Sequence, residues 1–71
     1  MKNILEQLRN QAGLTQQELA DRVDVSRQTI ISLENGRYNP SIILAFRLAR
    51  LFDQPIESIF IYEEEQENDI S

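Results

Sequence analysis

Between Gln16 and Asn35 the chain reads QQELADRVDVSRQTIISLEN, and this stretch restricts the fold more than any other. Thr15 starts a T-Q-Q-E pattern just ahead of it. In such a capping box the hydroxyl takes the amide three residues on, and the glutamate reaches back. A helix therefore begins at Gln16 and runs to about Val23, with Leu19, Ala20 and Val23 inward. Asp24 and Val25 leave room only for a tight turn before Ser26 caps a second helix, Arg27 to Glu34, with Ile30 and Leu33 inward. Ala20 is small where the two helices must cross, and Leu19, Val23, Val25, Ile30 and Leu33 supply a shared core. Asp24 sits where a left-handed backbone is needed. Glycine is commonest there, and Asp is among the few residues that tolerate it, at a strain of about 1 kcal/mol.

The flanking sequence reads as packing around this pair. Asn3 is placed to cap a first helix carrying Ile4, Leu5, Leu8 and Ala12 on one stripe, and Gly13 suits the left-handed position that ends it. Asn35-Gly36 stops the helix that ends at Glu34, Arg37-Tyr38-Asn39 form a loop, and Ser41 after Pro40 caps a helix over Ile42 to Phe52. That helix is apolar on many sides, so it is central or touches a second chain. Asp53-Gln54-Pro55 break it, and a short helix follows over about Ile56 to Ile59. Phe60-Ile61-Tyr62 is β-prone and is positioned to pair with Met1-Lys2-Asn3 as a small two-stranded ribbon. The expectation is an all-α, five-helix domain over residues 1–62, ending in an acidic, flexible tail over 63–71.

Charge must be read by segment. The chain of 71 residues carries a formal net charge of −5. Its seven Lys and Arg residues all precede residue 60, and the acids up to that point balance them. The excess comes from Glu63, Glu64, Glu65, Glu67 and Asp69. The domain is thus neutral, and what matters for an anionic partner is whether its bases gather on one face. The absence of Cys and His excludes disulfides, zinc-finger ligands, a thiol nucleophile and the commonest general base, so an enzyme is not expected. Consecutive carboxylates such as Glu63-Glu64-Glu65 do not converge on a metal without a scaffold, so neither metal nor cofactor is expected. No apolar run approaches the roughly 18 residues of a membrane span. Glu6, Gln7 and Arg9 interrupt any signal-peptide core, which gives a cytoplasmic, nucleoid-associated expectation with no membrane partner.

Three stretches in order, L-R-x-x-x-G-L-T-Q-x-E-L-A, V-S-R-Q-T-I and L-E-N-G-R-Y-N-P-S, are spaced such that residues 3–60 resemble the Cro/repressor-type (XRE) helix-turn-helix family. Asp24 departs from its usual pattern. The resemblance implies a five-helix, lambda-repressor-like domain that binds double-stranded operator DNA as a homodimer and represses or activates transcription; the chain leaves no room for an effector-binding domain, so no small-molecule ligand is expected. It also implies that Gln16 and the loop residues Asn35, Arg37, Tyr38 and Asn39 contact phosphate, and that Arg9 pairs with Glu34 structurally.

Helical spacing places Arg27, Gln28, Ile31 and Ser32 opposite the buried side of the third helix, the face that enters the major groove. Arg27 suits guanine, Gln28 adenine, and Ile31 a thymine methyl, although exposure or packing without a DNA role are also open for Ile31. Ser32 and Thr29 are short donors for a base edge or a phosphate, and Ser26 can touch phosphate besides capping. Gln17, Arg22, Arg47 and Arg50 read as solvated or salt-bridging surface. A dimer interface is expected on the apolar surface of the last two helices and Ile56, Ile59, Phe60, Ile61 and Tyr62. The competing function class is an antitoxin-like or adaptor protein that uses the same fold to bind another protein.

Overall fold

The computed structural model describes residues 1–62; the acidic segment 63–71, expected as a flexible tail, lies outside the described residues. In chain order the elements are β1 (Lys2–Asn3), α1 (Leu5–Gln11), α2 (Gln16–Val23), α3 (Arg27–Glu34), α4 (Ile42–Phe52), α5 (Ile56–Ile59) and β2 (Phe60–Ile61).

Local chemistry sets the helix boundaries. The Thr15 hydroxyl accepts the Glu18 amide at 3.0 Å while the Glu18 carboxylate accepts the Thr15 amide at 2.8 Å, the two halves of a capping box. Ser26 Oγ accepts the Thr29 amide at 3.2 Å, and Ser41 Oγ the Leu44 amide at 3.1 Å. Each cap supplies a partner for one of the amides that a helix start leaves unpaired. The first four helices all end in the same way. Gly13, Asp24, Gly36 and Asp53 take the left-handed conformation, with φ of 74°, 61°, 76° and 55°. The residue after each then donates its amide to a carbonyl five positions back: Leu14 to Arg9, Val25 to Ala20, Arg37 to Ser32 and Gln54 to Ala49, all at 3.0–3.1 Å. Asp therefore occupies two of the four positions at which glycine is preferred.

The start of α1 differs from expectation. Asn3 belongs to β1, and Ile4 is the residue that flanks the helix. Asn3 still accepts the Leu5 amide through Oδ1 at 3.0 Å. Its backbone is committed to the ribbon opposite Phe60, so the side chain reaches the helix from one position further back. Ala12, expected on the buried stripe of α1, is exposed.

One core joins all the helices: Leu5 from α1, Leu19 and Val23 from α2, Ile30 and Leu33 from α3, Leu48 from α4 and Ile59 from α5. Ala20 of α2 is fully buried as well. The ribbon is antiparallel, with Lys2 opposite Ile61 and Asn3 opposite Phe60, and the Ile4 amide extends it by donating to the Ile59 carbonyl at 3.0 Å. A two-stranded ribbon this short is marginal alone. Here Ile59 and Phe60 tie it to the core.

α4 divides its apolar residues. Leu44, Ala45 and Leu48 face the core, whereas Ile42 and Phe46 are 74% and 55% exposed and Ile43 is exposed beside them. Ile42, Phe46, Ile56 and Phe60, with Met1, Asn39, Pro40 and Ala45, line an apolar groove of about 360 Å³. Among the residues expected at a dimer interface, Ile59 is wholly buried in the core of its own chain and has no surface to offer a partner. Its position at the α5–β2 junction turns it inward. Phe60 is only 5% exposed and forms part of the groove wall, whereas Ile61 and Tyr62 are exposed.

Candidate nucleic-acid interface

α3 presents two unlike faces. Ile30 and Leu33 are fully buried in the core, and α3 packs chiefly on α2, which fixes the roll of the helix. Arg27 and Gln28, in its first turn, are exposed. Thr29, Ile31 and Ser32 are half-buried. Among the described residues neither Arg27 nor Arg37 has a side-chain hydrogen bond or ion pair, so both guanidinium groups face solvent with all donors available.

Ser26 and Thr29 engage each other, their hydroxyls 2.9 Å apart at the start of α3. Ser26, Gln28, Thr29 and Ser32 line a shallow depression of about 250 Å³ together with Tyr38, which the loop after α3 folds back beside the helix. The return is set by Gly36: with the Arg37 amide on the Ser32 carbonyl and the Gly36 amide on the Leu33 carbonyl, both at 3.0 Å, the chain reverses directly after Asn35. Arg37 and Asn39 are exposed on this loop. Arg27, Ile31 and Asn35 lie on α3 and at its end, outside the depression.

Behind this face lies a buried polar network. Arg9 Nε donates to Glu34 Oε2 at 2.6 Å and Nη2 to Oε1 at 3.3 Å, in a two-pronged pairing. Arg9 Nη1 also donates to the Leu14 carbonyl at 2.9 Å. One side chain thus joins α1, the link to α2 and the end of α3. The two side chains are 11% and 4% exposed, and the described residues contain no buried side-chain polar atom without a partner. The Glu34 hydrogen bond raises the Arg9 pKa; burial opposes this, and attraction to Glu34 and Glu6 adds to it. Arg9 therefore keeps its charge at physiological pH.

Gln16 and Arg47 each make a contact that escaped sequence reasoning. Gln16 Nε2 donates to Glu34 Oε1 at 3.1 Å, so the first residue of α2 is held by the last residue of α3. Arg47, read as solvated or salt-bridging surface, is exposed as expected but also donates from Nη1 to the Val23 carbonyl at 3.1 Å, the carbonyl just before the left-handed Asp24. A cation at a helix C-terminus is a known preference, but a donor from a distant helix leaves no local signal. Gln17 does behave as ordinary surface, donating to Asp21 one turn on at 2.9 Å.

Among the described residues no group of three or more His, Cys, Asp or Glu side chains could hold a metal ion. No helix there is long and apolar enough to cross a membrane.

Two short helices packed on each other, a turn at Asp24 and an exposed polar N-terminal face on the second helix define a DNA-binding helix-turn-helix protein. The chain belongs to the helix-turn-helix family, whose model matches residues 5–59. An uncharacterized HTH-type transcriptional regulator of Methanothermobacter thermautotrophicus is 56% identical over 66 residues, covering 92% of this chain and 96% of the relative. One from Methanocaldococcus jannaschii is 52% identical over 66 residues, covering 93% and 100%. The solved structure of the restriction-modification controller protein C.AhdI from Aeromonas hydrophila matches with a TM-score of 0.70 at 30% identity, over 79% of this chain and 85% of that one. The protein is accordingly a transcriptional regulator of the DNA-binding helix-turn-helix kind.

Proposed function

We propose that the protein is a repressor that binds a palindromic operator as a homodimer, inserting α3 into the major groove N-terminus first. The observation that carries this is the contrast within α3: Ile30 and Leu33 anchor the helix in the core, while Arg27 and Gln28 stand exposed at its capped start. A firmly held helix with side chains capable of bidentate bonding exposed at its N-terminal end matches the docking of a recognition helix. Arg27, Gln28, Ile31 and Ser32 read bases. Gln16, Ser26, Thr29, Asn35, Arg37, Tyr38 and Asn39 contact the phosphate backbone and set the register, which carries no sequence information.

The dimer forms through the groove lined by Ile42, Phe46, Ile56 and Phe60, with exposed Ile61 and Tyr62 alongside. Ile42, Phe46, Ile61 and Tyr62 are exposed to a degree typical of apolar surface that a partner covers. A two-fold pair places the two α3 helices about 34–36 Å apart, one turn of B-DNA. Repression is the output that demands least: a dimer seated on promoter DNA excludes polymerase by occupancy. Such a protein works in the cytoplasm on the nucleoid.

Selection of bound duplexes from random DNA tests the proposal. Enrichment of an inverted repeat with half-sites about one helical turn apart is the expected result. A lack of enrichment would overturn operator recognition in favour of a protein-binding role for the same fold, and a direct repeat or single site would overturn the two-fold dimer.

A further inference from the structure

The end of α3 is held from an unexpected direction. Leu33 and Gly36 each offer a carbonyl beside the turn that closes the helix. Asn3 Nδ2 donates to the Leu33 carbonyl at 2.8 Å, and the Met1 ammonium donates to the Gly36 carbonyl at 2.7 Å. Asn3 Nδ2 also donates to the Met1 carbonyl at 3.0 Å, which ties the two contacts together. On its other side this segment is bound to β2, with Asn3 opposite Phe60.

The groove sits on the same segment. Met1 and Phe60 form part of its wall, and Asn39 and Pro40, at the end of the loop that follows α3, form another part. A partner seated in the groove therefore presses on both ends of one short connection: the ribbon on one side and the 37–40 loop on the other. Between them stands Asn3, whose amide is bonded to the last turn of α3.

We infer that Asn3 is a positioning residue that makes the DNA affinity of α3 and its loop depend on occupancy of the dimer groove. The inference rests on the dimeric, operator-binding function proposed above. It adds that dimerisation does more than bring two recognition helices together: it orders each one. The coupling runs through the Asn3 amide N–H groups, because only these reach α3, while Oδ1 serves the Leu5 amide of α1.

The test uses the full chain and a short duplex holding one half-site of the selected operator, so that the second helix of a dimer gains nothing. Fluorescence anisotropy gives affinity per protomer for the wild-type dimer and for Phe46→Asp, a surface change that breaks the groove contact. The wild type should bind the half-site about fivefold or more tightly, the lower end of ordinary coupling between sites. Asn3→Asp keeps an acceptor for the Leu5 amide but cannot donate to Leu33. It should dimerise like the wild type in analytical ultracentrifugation and bind the half-site only as well as the Phe46→Asp monomer. Asn3→Ala should behave alike where it folds, and Asn3→Asp decides where it does not. Equal half-site affinity of wild type and Phe46→Asp, or a wild-type advantage retained in Asn3→Asp, overturns the inference while leaving the dimeric operator reading intact. A wild-type chain that stays monomeric, or that enriches no operator, shows instead that the underlying reading has failed, and the inference falls with it.

Discussion

Gln16 and Glu34 lie 18 residues apart, yet the amide nitrogen of the first donates to the carboxylate of the second at 3.1 Å. The first residue of one helix is thereby fixed to the last residue of the next, at the carboxylate that also holds Arg9. A primary amide has two N–H donors, and this bond uses one. The other is free to meet a phosphate, so a residue proposed to touch DNA is aimed by a network that is itself structural.

Glu34→Ala should therefore act twice. It strands the Arg9 guanidinium, 11% exposed, without its anion, a change that costs about 3 kcal/mol in comparable buried pairs. It also releases Gln16. Urea denaturation should show the loss of stability, and the double variant with Arg9→Ala should lose less than the sum of the single variants. Strict additivity would mean that the two side chains do not interact in solution.

Arg27→Ala should weaken operator binding by about 1–3 kcal/mol and relax preference at one base pair, with little effect on stability because the side chain is exposed. Binding assays against the operator and its single-base variants measure both. An equal loss on operator and random DNA would remove Arg27 from the base-reading set.

Arg37→Ala addresses the phosphate contacts. Affinity for specific and random DNA should fall together, and the slope of log K against log salt should become shallower by about one unit. An unchanged slope places Arg37 off the backbone.

Two aromatic residues separate association from folding. Phe46 is 55% exposed and Phe60 5% exposed on the same groove. Phe46→Asp should give a folded monomer in analytical ultracentrifugation with an unchanged helical circular dichroism spectrum. Phe60→Asp buries a carboxylate in the core and should unfold the chain, at a cost above about 4 kcal/mol. A folded, dimeric Phe46→Asp protein would move the interface elsewhere.

Asp24 gives a test of backbone strain. With φ at 61°, it holds a conformation that disfavours a Cβ. Asp24→Gly should exceed Asp24→Ala in stability by about 1 kcal/mol in thermal or urea unfolding.

What could be read from the sequence was what local chemistry decides. Thr15, Ser26 and Ser41 cap their helices because a hydroxyl and an amide three residues on are always close at a helix start. Gly13 and Gly36 end theirs for an equally local reason. The ribbon was legible from aromatic, β-prone residues near one end of the domain and a short unassigned segment at the other. Ile59 was misplaced because hydrophobicity marks a residue as buried without saying whether its own core or a partner buries it. Arg47 is surface, as read, but its hydrogen bond left no local signal because the acceptor, the Val23 carbonyl, lies 24 residues away. Asn3 was given one role where the fold gives it several, since Leu33 comes within its reach only after the ribbon has formed.

The ribbon has a kinetic consequence. Pairing Lys2 with Ile61 closes nearly the whole described chain into one loop, the costliest closure in the fold. Contacts between α2 and α3 are by contrast close in sequence, and elements with local contacts assemble first. The helix pair should thus form early and the ribbon last, and opening should begin where closure ended. The Ile4 amide, bonded to Ile59 across the ribbon, should exchange with deuterium faster than the Ile30 amide inside α3. Opening also carries Met1 and Phe60 out of the groove wall, so a partner copy seated there holds the clasp shut. Exchange at Ile4 should therefore slow as protein concentration rises, making a single amide a reporter of association.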